Sequence, residues 1–156
     1  MTNRANILGK IARFFSKQAH LEAEFRMSAY SSLDVLCNMI LSINKNIQSV
    51  SVISKMGRLV EDTSRSNFAR KFPEHLNEHF LMQCVLQISM GRDFDEFYGP
   101  INYHISERAG LTLLTFPADG NVILVVCNKN ISPITLAKKI VETISEFQKR
   151  VSLIEL

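Results

Sequence analysis

No apolar run in this 156-residue chain approaches the roughly 18–20 residues that a membrane-spanning helix needs, and the N-terminus carries no continuous apolar segment of signal-peptide kind. Cysteine is scarce. Cys37, Cys84 and Cys127 are odd in number, far apart and each set within an apolar run. That argues against a disulfide framework or a zinc ribbon and reads as core packing in a reducing compartment. The glycines form neither a G-x-x-x-x-G-K-[ST] nor a G-x-G-x-x-G pattern, and there is no G-x-S-x-G elbow. A P-loop, a dinucleotide fingerprint and a serine-hydrolase turn are therefore excluded. The expectation is a cytoplasmic protein that is not an enzyme and holds no cofactor or metal. With 46% apolar and 21% charged residues the chain is ordinary for a globular domain, and it is long enough for one core without staples.

Charge is unevenly placed. The net +3 resides in positions 1–26, where Arg4, Lys10, Arg13, Lys17 and Arg26 outnumber Glu22 and Glu24. The remaining residues balance, and a neutral body argues against nucleic acid as a partner, since duplex binding requires a concentrated basic face. Within the basic arm, Ile7, Ile11, Phe14, Gln18, Leu21 and Phe25 step by three and four, with Leu8 and Phe15 beside them. Lys10, Arg13, Lys17 and Glu24 occupy other faces. This spacing predicts an amphipathic helix, set apart as residues 1–27, that docks on its own domain, on a partner or on a membrane surface.

The rest, 28–156, reads as one domain. Ser31 and Ser32 precede the periodic run Leu33, Leu36, Ile40 and Ile43, which predicts a capped helix from Ser32 to Asn44. Ser49 to Ser54, a Lys55-Met56-Gly57 turn and a strand from Arg58 to Glu61 follow, then a polar loop from Asp62 to Lys71. Arg65, Arg70 and Lys71 in that loop read as solvated, or as an anion site at the next helix. Pro73 opens a long helix to Phe97, which Gly99-Pro100 ends. Three strands come next, Ile101 to Ser106 being the first, separated by Glu-Arg-Ala-Gly and Ala-Asp-Gly-Asn. The last, Val122 to Cys127, is apolar at every position, so both of its faces should be covered. Ser132-Pro133 starts the final helix.

The long middle helix is apolar round most of its circumference. His79, Gln83 and Gln87 form one narrow polar stripe, and Phe80, Leu81, Met82, Cys84, Val85, Leu86, Ile88 and Met90 take most of what remains. A helix on one sheet needs an apolar stripe only about 100° wide, so a second surface must cover the excess. Another helix of the same chain or a second polypeptide, most simply an identical copy, would do so. At its start, His75-Leu76-Asn77-Glu78-His79 matches H-x-x-E-H, an inverted zinc-protease pattern, but zinc catalysis also needs a third protein ligand and a cleft, the five-residue pattern is easily met by chance, and His and Glu are natural in an exposed first turn. His104, on the predicted strand Ile101 to Ser106, reads as a cross-strand surface residue. Asp93, Asp95 and Glu96 read as a solvated helix end.

Three stretches carry a resemblance: VSVISKMGRLVED, the apolar helix led by Pro73, and TLLTFPADGNVILVVCNKN before its Ser-Pro helix. Together they resemble the roadblock family, dynein light-chain-like domains of the profilin-like, longin-related group. FDEFYGPINYHISERAGLTLLTFP is similar to archaeal members. The resemblance covers 33–147 and implies an α+β, three-layer α/β/α domain. Its order would be α-β-β-α-β-β-β-α around a five-stranded antiparallel sheet, here with an extra N-terminal helix. It also implies homodimers or heterodimers formed through the middle helices and the adjacent edge strand, and a non-catalytic adaptor role towards small GTPases or motor complexes. Matched onto this sequence, dimer contacts would fall on Met82, Leu86, Met90, Ile101, Tyr103 and Ile105. His75, Glu78, His79 and Gln83 would meet a partner protein. The competing reading is a small-molecule sensor of PAS or Cache type, which also strings two strands, helices and three strands.

Overall fold

The computed structural model describes residues 3–68, 72–129 and 131–154, and of residues 3, 4 and 25–31 the backbone alone. Arg70 and Lys71 lie outside the described residues. The elements are α1 (Asn3–Leu41), β1 (Ile47–Ile53), β2 (Leu59–Ser64), α2 (Glu74–Gly91) and a 3-10 turn (Arg92–Phe94). They continue as α3 (Asp95–Tyr98), β3 (His104–Glu107), β4 (Thr112–Ala118), β5 (Asn121–Cys127) and α4 (Pro133–Ile154). The chain divides into two compact units, Met1–Leu33 and Asp34–Leu156.

Two helices are expected before β1, whereas α1 runs unbroken from Asn3 to Leu41. No glycine or proline occurs between Gly9 and Gly57, and serines in a helix interior cost too little to stop it. In the first unit α1 leaves Ile7, Leu8, Ile11, Phe14, Phe15 and Leu21 exposed.

The second unit is built on a five-stranded sheet in the order β2-β1-β5-β4-β3, with antiparallel pairing throughout. β5 is the middle strand, and Val122 to Cys127 are buried without exception, which accounts for its unbroken apolar run. Register sorts its two faces. Val122, Leu124 and Val126 join Ile53 and the buried residues of α2, Leu81, Cys84, Val85 and Ile88, in one cluster. Ile123, Val125 and Cys127 point the other way, on the face shared with Val50, Val52, Leu114 and Phe116. The buried side chains left to cover that face are Leu136, Ala137, Ile140 and Ile144 of α4 and Leu36, Cys37 and Ile40 of α1. The result is the three-layer α/β/α arrangement that the resemblance implies.

β4 and β5 are joined by Asp119-Gly120, both at positive φ (44° and 78°), the two-residue turn whose twist matches antiparallel strands and which suits Asp-Gly. Three boundaries differ from expectation. β2 continues through Asp62 to Ser64, because Asp62 and Thr63 pair with Ser51 and Val50 and Ser51 Oγ donates to Asp62 Oδ1 at 2.6 Å. α2 stops at Gly91, beyond which the chain tightens into the 3-10 turn and then α3. β3 begins at His104, so Ile101 and Tyr103 lie in the preceding connection.

Arg65 joins the end of β2 to the end of α1. Its Nε donates to the Ile47 carbonyl at 2.6 Å, and Nη2 donates to the carbonyls of Leu41 at 2.9 Å and Asn44 at 3.1 Å. Carbonyls at and just beyond a helix C-terminus lack helical donors, and a guanidinium fork meets them well. The residue expected to be solvated or to bind an anion is thus committed to the fold.

Candidate functional site

The outward face of α2 presents a line of exposed apolar side chains. Inward, Leu81, Cys84, Val85 and Ile88 are buried on the sheet, and Phe80 packs against the same cluster. Outward, Met82 is 37%, Leu86 47% and Met90 66% exposed. Four-residue spacing stacks the three on one line along the helix. Beside them lie His79, Gln83 and Gln87, and the six residues together form a shallow open groove of about 450 Å³.

The groove has two borders. On one side stands the turn between β1 and β2, where Gly57 has φ 75° and a Cβ would come within 2.7 Å of Met82 Cε. Only glycine combines that backbone with so close a neighbour. On the other side Gln83 and Gln87 also line a small cavity of about 60 Å³ with His104 and Ser106 of β3. Among the described residues β3 pairs with β4 alone, and no strand lies on its outer edge. The exposed α2 line therefore runs alongside an open sheet edge.

The expected dimer residues are only partly brought together. Met82, Leu86 and Met90 share the α2 face. Ile101 packs on its own chain, against the α2 cluster and so near Gly91 that a Cβ there would overlap it. Tyr103 lies 6.2 Å, centroid to centroid, from Phe116. Ile105 pairs with Leu114, which puts it on the sheet face away from α2. Sequence spacing alone could not reveal this, since a strand's side chains alternate between faces and the strand starts three residues later than expected. His75, Glu78, His79 and Gln83 are all exposed on the first turns of α2.

His104 is not the surface residue expected. It is half-buried, opposite Thr115 on the α2 side of the sheet, and its Nε2 is enclosed with no hydrogen-bond partner among the described residues. Missed altogether were Phe94, Phe97 and Tyr98, 59%, 75% and 88% exposed, which follow Met90 along the chain in the 3-10 turn and α3. A visible signal existed: three aromatics within five residues, interleaved with acids in a segment assigned to a solvated helix end. Among the described residues no three His, Cys, Asp or Glu side chains gather as a metal site requires. None of the described helices is long and apolar enough to cross a membrane.

The burial of Cys37 pushes its thiol up to about 12, helped by the negative charges of Glu61, Asp34 and Asp62. Burial alone does the same for Cys127. A thiol so held does not supply the thiolate that nucleophilic chemistry needs.

The arrangement of this chain's elements is similar to that of solved structures. A Roadblock/LC7 domain from Streptomyces avermitilis superposes with a TM-score of 0.57 over 76% of this chain and 97% of its own, at 12% identity. The fold is the roadblock fold. Myxococcus xanthus MglB shows it with a TM-score of 0.60, 12% identity and coverage of 81% of this chain and 92% of its own. The gliding protein MglB from Thermus thermophilus gives 0.57 at 9% identity, covering 78% and 91%. No family model matches the sequence, and no curated protein does. At such identities the roadblock likeness resides in the arrangement of elements, with apolar pattern and turns carrying it.

Proposed function

We propose that the chain is a non-catalytic roadblock-type adaptor that works as a homodimer and regulates or recruits a partner protein, a small GTPase being the leading class. One observation carries this reading. The Met82, Leu86 and Met90 line is exposed beside the open edge of β3, so a second copy laid along it would bury apolar surface and extend the sheet in one contact. Among roadblock folds, an MglB is described with a tetrameric arrangement, which gives self-association of such domains a precedent. The contribution of β3 in this proposal is its backbone edge from His104 to Glu107, since Ile101 and Tyr103 are engaged with their own chain. His75, Glu78, His79 and Gln83 then form the rim offered to the partner. Multi-angle light scattering on the purified chain tests the first step: a dimer is expected at micromolar concentration, and a stable monomer refutes the proposal. Affinity purification from the native cell would then identify the GTPase or whichever partner co-elutes.

A specific feature favours a second reading. A cleft of about 1280 Å³ opens between the N-terminal half of α2 and the β3–β4 hairpin, with Phe68, Phe72, Leu76, Phe80, Leu111 and Leu113 among its lining. Its apolar lining would suit a small-molecule sensor. A ligand filling it should raise the melting midpoint by several degrees. Screening of aromatic and long-chain carboxylic acids by thermal shift separates the two readings.

A further inference from the structure

We infer that the first five turns of α1 form an anionic-lipid-binding helix, which lies in the headgroup region of a membrane with its apolar face down. At about 100° per residue, Leu21, Phe14, Ile7, Ile11, Phe15 and Leu8 occupy one arc of about 140°, within which Gln18 and Arg4 also fall, and Arg13, Lys17 and Lys10 lie together along the flank next to Leu21. The apolar side chains are exposed, with Leu8, Phe14 and Phe15 each about two-thirds accessible. Phe14 and Phe15 meet edge to face at 6.0 Å, a pair of aromatic side chains open to the surroundings. Positions 1–21 contain four basic residues and no Asp or Glu, the first acid being Glu22.

Those facts choose the occupant. A second copy of the same helix would bring cation against cation over five turns with no acid to offset them. Its narrow seam would also leave Leu8 and Phe15 uncovered, since they lie beside the positions spaced by three and four. An anionic lipid surface takes the wide apolar arc into the acyl boundary and places Lys10, Arg13 and Lys17 among phosphates, where each contributes attraction. The helix binds on the surface and does not span the bilayer.

The test uses the full chain and phosphatidylcholine vesicles with or without phosphatidylglycerol. Co-sedimentation is expected with the anionic vesicles only and should fall as salt shortens the Debye length from about 10 Å at 0.1 M to about 3 Å at 1 M. The triple variant Lys10→Gln, Arg13→Gln, Lys17→Gln should lose about fivefold in partitioning for each charge, about a hundredfold in all. Phe14→Trp reads insertion directly, because the chain has no other tryptophan. Its emission should shift to the blue on anionic vesicles and stay unchanged on neutral ones. Equal binding to both vesicle types, or no shift on either, overturns the inference. So does a blue shift that grows with protein concentration in the absence of lipid, which would assign the face to a second copy. The blue shift on anionic but not neutral vesicles does not depend on whether residues 34–156 dimerise.

Discussion

Leu86→Glu is the sharpest perturbation of the proposed adaptor surface. Leu86 keeps 47% of its surface exposed in the single chain. Full burial of a leucine is worth about 1.5–3 kcal/mol, so hiding the remaining half contributes about 1 kcal/mol per copy. A two-fold contact counts it twice. Glutamate removes that gain and places two carboxylates in the proposed contact, where desolvation costs several kcal/mol per buried ion unless they are paired. A loss of at least about 4 kcal/mol is expected, or about a thousandfold in Kd. The single chain itself should hardly notice, because glutamate and leucine have similar helix propensities and exposed substitutions usually stay within about 0.5 kcal/mol. Analytical ultracentrifugation should show monomers with unchanged far-UV circular dichroism. Ile88→Glu, two residues on but buried on the sheet at 2% exposure, serves as contrast and should unfold. A Leu86→Glu protein that dimerises with unchanged affinity would refute the assignment of the contact to this face.

Arg65→Ala removes three carbonyl contacts; with the site half-buried and open to replacement water, about 2–3 kcal/mol should be lost, lowering the melting midpoint by about 5–10 °C. Arg65→Lys should restore less than half, and an unchanged midpoint would show that the fork is dispensable. For the thiols, Cys37 and Cys127 rise from 9.0 to about 12 in the fold. The unfolded chain therefore releases their protons from about pH 9 while the native chain retains them up to about 12. Stability from these groups is intact below the unfolded value and falls as pH rises across that window. Urea midpoints measured from about pH 8 to 11 should decline accordingly, and iodoacetamide at about pH 8 should leave both thiols unmodified until the protein unfolds.

The sequence by itself determined the elements that depend on local chemistry. Asp119-Gly120 could only be a tight turn, Ser132-Pro133 could only start a helix, and the uninterrupted apolar run of β5 required cover on both faces. The excess apolar surface of α2 was legible too, since side chains at Met82, Leu86 and Met90 lie a quarter to half a turn from the buried line whatever the helix packs on. What tertiary structure decided was where boundaries fall and which face a residue takes. α1 passes through Ser31 and Ser32 because a capping residue initiates a helix only where the preceding chain leaves the helical conformation, and no glycine or proline made it do so. Asp62 joined β2 because Ser51 supplied its hydrogen bond from the neighbouring strand. Ile105 turned from the α2 side because strand register, set by its pairing with Leu114, fixes side-chain alternation. Local signals act over a few residues, whereas register and burial depend on neighbours that only the folded chain brings near.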